Sequence, residues 1–206
     1  MNAEQANASG TGPSLALLKR EFREDWLFLL ATVALLVCTA RVSPDMLLPP
    51  AGLSMVLLPV AVGLGLGVRA FAPDSANGTA RFLAALPVAG KVVLAAKLAV
   101  RILAIVLGTA IAAGWAADGA AWLPSAVGAA VLFACLVGVL AGQVLDRSAT
   151  AFAAGAAMLV VLARLVGDAW IDSLAAPVTP CVLTISVLSA CAAVLLGLSC
   201  WLAGRP

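Results

Sequence analysis

Histidine and tyrosine are missing altogether, and charged side chains make up only 11% of the 206 residues. Without histidine there is no His-ligated metal or haem site, no Ser-His or Cys-His nucleophile pair and no His phosphorelay. A GxxxxGK[ST] phosphate loop is also missing. Gly90-Lys91 is followed by Val92, and Ala85 stands where the leading glycine would fall. The chain is therefore not expected to hydrolyse ATP itself, nor to be an enzyme of another kind. Acidic residues are too scattered for a metal-dependent phosphotransferase site. The five cysteines include no CxxC pair. They read as buried inert thiols, with a Cys38–Cys181 disulfide near the outer face as the alternative. A net charge of +2 gives nucleic acid no electrostatic footprint.

What fills the chain instead is apolar. Hydrophobic residues reach 64%, against roughly 45–50% in soluble domains, which also carry about 25% charge. The mean hydropathy is +1.12. The expected fold class is an all-α membrane protein with six transmembrane helices, preceded by an amphipathic interfacial helix, with both termini cytoplasmic. A span needs about 20 apolar residues, and six apolar runs are present: 26–40, 53–70, 98–117, 123–143, 149–167 and 181–203. Residues 1–13 are polar and small and are expected to be a disordered tail, and residues 14–206 form a single membrane domain. Between them, PSLALLKREFRED (13–25) places Leu15, Leu18 and Phe22 at helical spacing, with Lys19, Arg20 and Arg23 on other faces. This reads as a helix lying in the membrane interface with its cations toward anionic lipid. The alternative is a plain cytoplasmic extension of the first span.

Basic residues near span ends set orientation. With the N-terminus inside, Lys19, Arg20, Arg23, Arg69, Arg81, Lys91, Arg147 and Arg205 fall inside and only Arg41 outside. Tryptophans fit the same frame, Trp26 and Trp201 at the inner interface and Trp115, Trp122 and Trp170 at the outer. The expected location is the cytoplasmic (inner) membrane, as a multi-pass protein. Gly63 and Gly67 form GxxxG in the second run, and Gly138 and Gly142 repeat it in the fourth. Such spacing serves close helix packing within the chain or, alternatively, a dimer interface.

Four charges stand in or beside the spans. Lys97 and Arg101, four apart on one helix face, either snorkel to the inner surface or face the mouth of a pathway or lipid headgroups. Arg164 and Asp168 either pair at the outer end of the fifth run or shape an exit mouth. No pair of intramembrane carboxylates is read from the sequence, which speaks against a proton relay.

The longest polar interruption is FAPDSANGTARFLAALPVAGKVVLAAK (71–97). Phe82, Leu83 and Leu86 have helical spacing, and Pro87 stops that helix. Asp74, Gly78-Thr79, Phe82-Leu83, Leu86-Pro87-Val88 and Lys97 together resemble the cytoplasmic loop of ABC-2 type transporter permeases. Two departures accompany the resemblance. The acidic run before Gly-Thr is reduced to Asp74, and Ala89-Gly90-Lys91 follow Pro-Val. The resemblance implies the membrane subunit of an ATP-driven exporter. It also implies a second permease copy or paralogue as dimer partner, and a separate ABC ATPase subunit that binds the ATP and Mg. Asp74, Gly78, Thr79, Arg81, Phe82, Leu83, Leu86 and Pro87 would form the coupling helix that docks on that ATPase, with Thr79 as its cap. The family commonly has an interfacial helix before its first span and a lysine at the position of Lys97. A hydrophobic or amphipathic cargo suits spans this apolar. The other reading is a non-transporting membrane scaffold or assembly factor that uses the same loop to hold a cytosolic partner.

Overall fold

The computed structural model describes residues 12–39, 50–71, 90–116, 122–145, 147–171 and, near the C-terminus, 194–195, 197–199 and 201. Among these residues there is no strand. Five helices follow one another: α1 (Gly12–Thr39), α2 (Pro50–Val68), α3 (Gly90–Trp115), α4 (Trp122–Val144) and α5 (Ser148–Ile171). They coincide with the first five apolar runs to within a few residues, except at two places. The sixth run lies mostly outside the described residues, although the described positions between 194 and 201 are helical.

The first exception corrects the reading of the N-terminal segment. No helix stands apart from the first apolar run, because α1 runs without a break for 28 residues. Between Ser14 and Thr39 there is neither glycine nor proline, so nothing interrupts the backbone ladder where the composition turns apolar. Its buried positions are Glu21, Asp25, Leu29, Thr32, Leu36 and Thr39, spaced by three or four residues as one face of a helix requires. Lys19, Arg20, Phe22 and Arg23 are exposed on the other faces.

The second exception is the start of the third span. α3 begins at Gly90 rather than near residue 98, so Lys97 and Arg101 sit two and three turns inside it. The leading segment KVVLAAK has good helix formers and no breaker after Gly90.

Side-chain contacts give the topology. Asp25 meets Arg101, and Leu36 and Val33 approach Gly108, so α1 and α3 run parallel. Gly63 faces Val131 and Gly67 faces Cys135, so α2 and α4 also run parallel. Lys97 reaches Ala70 O and Arg101 reaches Leu66 O, making α3 antiparallel to α2 and so to α4, and on α2 Leu64 faces Gly155 while Gly65 faces Phe152, making α2 and α5 antiparallel. The helices therefore alternate up and down, with α4 central. Its Phe133, Leu136 and Val137 pack in one core with Leu64, Leu94 and Leu195. Leu36, Ile105, Val127, Val131 and Cys135 form a second cluster.

The two GxxxG motifs serve packing within the chain. A Cβ on Gly67 would run into the carbonyl of Cys135, and one on Gly138 into the carbonyl of Leu64. The glycines remove the side chains that would otherwise keep α2 and α4 apart. Gly114 is different, with nothing near its missing Cβ. Gly114→Ala is expected to leave thermal stability in mild detergent unchanged or raise it by up to about 1 kcal/mol, the helix-propensity difference between the two residues.

Candidate functional site

Among the described residues the charged side chains cluster. Lys19, Arg20, Arg23, Arg69, Lys97, Arg101 and Arg147, with Glu21, Glu24 and Asp25, are all the charged residues whose side chains are described. All ten stand at one end of the bundle, where α1, α3 and α5 begin and α2 and α4 end. The surface beyond them is apolar, with Leu27, Leu30, Leu103, Leu107, Val160 and Val161 exposed.

Four of these charges are buried together. Glu21 and Asp25 are one turn apart on the inner face of α1, and Lys97 and Arg101 are one turn apart on the inner face of α3. Lys97 Nζ lies 3.2 Å from Glu21 Oε1, and Arg101 Nη1 lies 3.2 Å from Glu21 Oε2. Arg101 Nη2 pairs with Asp25 Oδ2. The two positive and two negative charges cancel. Arg101 is 1% exposed. The expectation that Lys97 and Arg101 snorkel or face an open mouth is corrected here. Their helix starts eight residues earlier than composition suggests, and α1 brings carboxylates to them. Glu21 and Asp25 lie at this charged end, before the first apolar run at 26–40.

The end of α2 completes the site. Ala70 N–H donates to Gly67 O at 3.0 Å, tightening the last turn and leaving Leu66 O free of its usual i+4 donor. Arg101 Nε donates to that carbonyl at 3.1 Å. Lys97 Nζ donates to Ala70 O at 2.5 Å. Two cations thus meet the negative end of the α2 dipole and satisfy carbonyls that would be orphaned in an apolar setting. Arg101 Nη1 also donates to the carbonyl of Lys97. With Nε, Nη2 and both Nη1 hydrogens engaged, four of the five guanidinium N–H groups have acceptors. Lysine could not reproduce this fork.

Arg69, just beyond α2, is the outer member. Its Nε lies 3.3 Å from Asp25 Oδ1, and its guanidinium stands over the Phe28 ring, 4.4 Å from the centroid. The Arg69 side chain is 42% exposed while Asp25 is nearly closed off. Beside them Arg20 and Glu24 form an exposed pair at 2.7 Å, of small energetic value. Lys97 Nζ lies 5.2 Å from the Phe71 ring centroid.

The structure thus brings together Lys97 and Arg101 with Glu21, Asp25 and Arg69, which the sequence reading did not single out as a site. Lys19, Arg20, Phe22 and Arg23 stay on the outer surface of α1. Asp74, Gly78, Thr79, Arg81, Phe82, Leu83, Leu86 and Pro87 lie outside the described residues. Arg164 and Asp168 fall on α5, but their side chains are not among those described. Cys135 is a buried free thiol as expected, whereas Cys38 is exposed; Cys181 lies outside the described residues. Among the described residues no group of three or more His, Cys, Asp or Glu could hold a metal ion.

These observations define the class. The chain is an all-helical apolar bundle, with 92–115 and 124–144 each long and apolar enough to cross a membrane. It matches no protein-family model, no curated protein and no solved structure.

Proposed function

We propose that the chain is the multi-pass inner-membrane permease subunit of an ATP-driven exporter of the ABC-2 type. It would work as a dimer with a separate ATPase subunit. The observation that carries this reading is the attachment of residues 72–89. Both flanks of that segment, the end of α2 and the start of α3, are tied to each other and to α1 by the buried charges. A push on the segment therefore reaches three helices at once. Such a joint suits a loop that receives force from a cytosolic motor better than one that merely reverses the chain.

Two further features support it. The helices alternate in direction, as successive spans must. Among the described side chains the charged end carries seven cations against three anions, which supports a cytoplasmic location for it under the positive-inside rule. The buried carboxylates do not favour ion coupling, because each already has a cation at salt-bridge distance.

Replacing Phe82 and Leu86 together by aspartate is expected to abolish co-purification of an ATPase subunit with the tagged chain, with insertion into the membrane unchanged. Mass spectrometry of a mild-detergent pull-down is the readout. A nucleotide-binding subunit that stays with the doubly substituted chain would refute docking through this segment. A parent pull-down that yields a cytosolic partner without nucleotide-binding motifs would point to the scaffold reading instead.

A further inference from the structure

The seam between α1 and α3 has two dissimilar ends. At the outer end the contact is close and apolar. A Cβ on Gly108 would stand 3.0 Å from Leu36 Cδ1 and 3.2 Å from Val33 Cα, so the two helices nearly touch there. At the inner end the contact consists of Glu21, Asp25, Lys97 and Arg101. Between these ends lies Thr32, fully buried, whose hydroxyl donates to its own helix at Phe28 O, 2.8 Å away. It thus gains its hydrogen bond without bridging to α3.

The two ends respond differently to separation. A buried ion pair sits near energetic balance, because the attraction gained is offset by the hydration lost. If the helices part there, water restores the hydration of all four charges, so the closed and open arrangements can be close in free energy. Parting the α2–α4 seam offers no such return. Its contacts are glycine to backbone at Gly63, Gly67 and Gly138, and opening it would expose apolar surface alone. The anchors of α3 on α2, from Lys97 to Ala70 O and from Arg101 to Leu66 O, would stay intact while α1 moves.

The geometry points to a hinge. α1 pivots on α3 at Gly108 and opens at the charged end, and the four buried charges are the latch that holds it shut. The inference deepens the exporter reading and rests on it for its purpose, which is to admit cargo between α1 and α3 from the inner side. Arg69 is the latch's exposed handle. It grips Asp25 from outside and directly precedes the segment proposed to receive force.

The test uses the full-length chain in inverted membrane vesicles and a permanently charged methanethiosulfonate as probe. A Leu29→Cys substitution places a thiol on the buried face of α1 one turn from Asp25 and away from the pivot at Val33, and the native Cys135, buried between α2 and α4, is the internal control. Site-resolved mass spectrometry follows both. The thiol at position 29 is expected to react slowly in the otherwise native chain. Adding Asp25→Asn should speed it at least tenfold, and adding Lys97→Met, from the other helix, should do the same. Cys135 should stay unmodified throughout, which also reports that each variant is folded. Equal reactivity at both thiols would mean the bundle loosens as a whole, and position 29 remaining as inert as Cys135 in every variant would mean the seam does not part. Either result overturns the hinge. The exporter reading fails separately. A pull-down without an ATPase, beside a latch-dependent thiol at position 29, would leave the hinge standing and remove the exporter.

Discussion

Arg101→Ala is expected to lower the stability of the folded chain in mild detergent by about 3–5 kcal/mol, the usual consequence of removing one partner from a buried ion pair. Three losses coincide. Asp25 loses its buried cation and keeps only the half-exposed Arg69. Glu21 keeps Lys97 but loses the fork. Leu66 O loses the donor that replaces its helical one. The measurement is unfolding by heat or by rising SDS mole fraction against the unsubstituted chain. Adding Glu21→Gln and Asp25→Asn to the alanine variant should recover about 2 kcal/mol or more, because a site without charges has none left uncompensated. A loss below about 1 kcal/mol for Arg101→Ala alone would mean that water already reaches the cluster.

Gly67→Val should be nearly as damaging, at about 3 kcal/mol, the upper end of the usual range for overpacking a close contact. The obstacle at Gly67 is backbone. The carbonyl of Cys135 lies in the way, and the amide nitrogen of Val139 stands 2.9 Å from the Cβ position. Neither can rotate aside as a side chain would, so α4 must retreat from α2 along its whole contact. Gly138, opposite, has the same problem with Leu64 and Val68. The same unfolding assay applies. Wild-type-like behaviour of Gly67→Val would show that α2 and α4 are not packed as described.

The positions of the helices were largely legible, because a chain this apolar leaves few places for turns and the breaks fall at Gly, Pro and Asp. Two features resisted. The start of α3 was misread because Lys91 and Lys97 look like loop residues when charge alone is weighed. In fact Lys97 is accommodated by the Glu21 carboxylate, 76 residues away in sequence. The cluster was half visible. Lys97 and Arg101 announce themselves in an apolar run, but Glu21 and Asp25 are camouflaged in KREFRED, where six of the seven residues are charged. The usable signal was spacing. Two acids four apart at the head of one apolar helix match two bases four apart at the head of another. Helices of odd number start at the same end of an alternating bundle, so the two sets could meet. Arg69 had no such signal, since its role depends on where α2 ends. The packing of α2 on α4 was open from sequence because GxxxG fits a dimer as well as a monomer. Only the carbonyls facing Gly67 and Gly138 decide it.

The pairing of Asp25 with Arg101 spans 76 residues. At roughly 5–20 residues per second, the ribosome takes about 4–15 s to deliver the guanidinium after the carboxylate. During that interval α1 carries Glu21 without Lys97 or Arg101, and Asp25 with only Arg69, which arrives 44 residues after it. Its lowest-energy position then is shallow, with Glu21 and Asp25 still at the headgroups. If α1 crosses the membrane in the finished bundle, its final seating is expected to wait for the third helix to emerge, and a chain truncated after α2 should leave its N-terminal helix at the membrane surface.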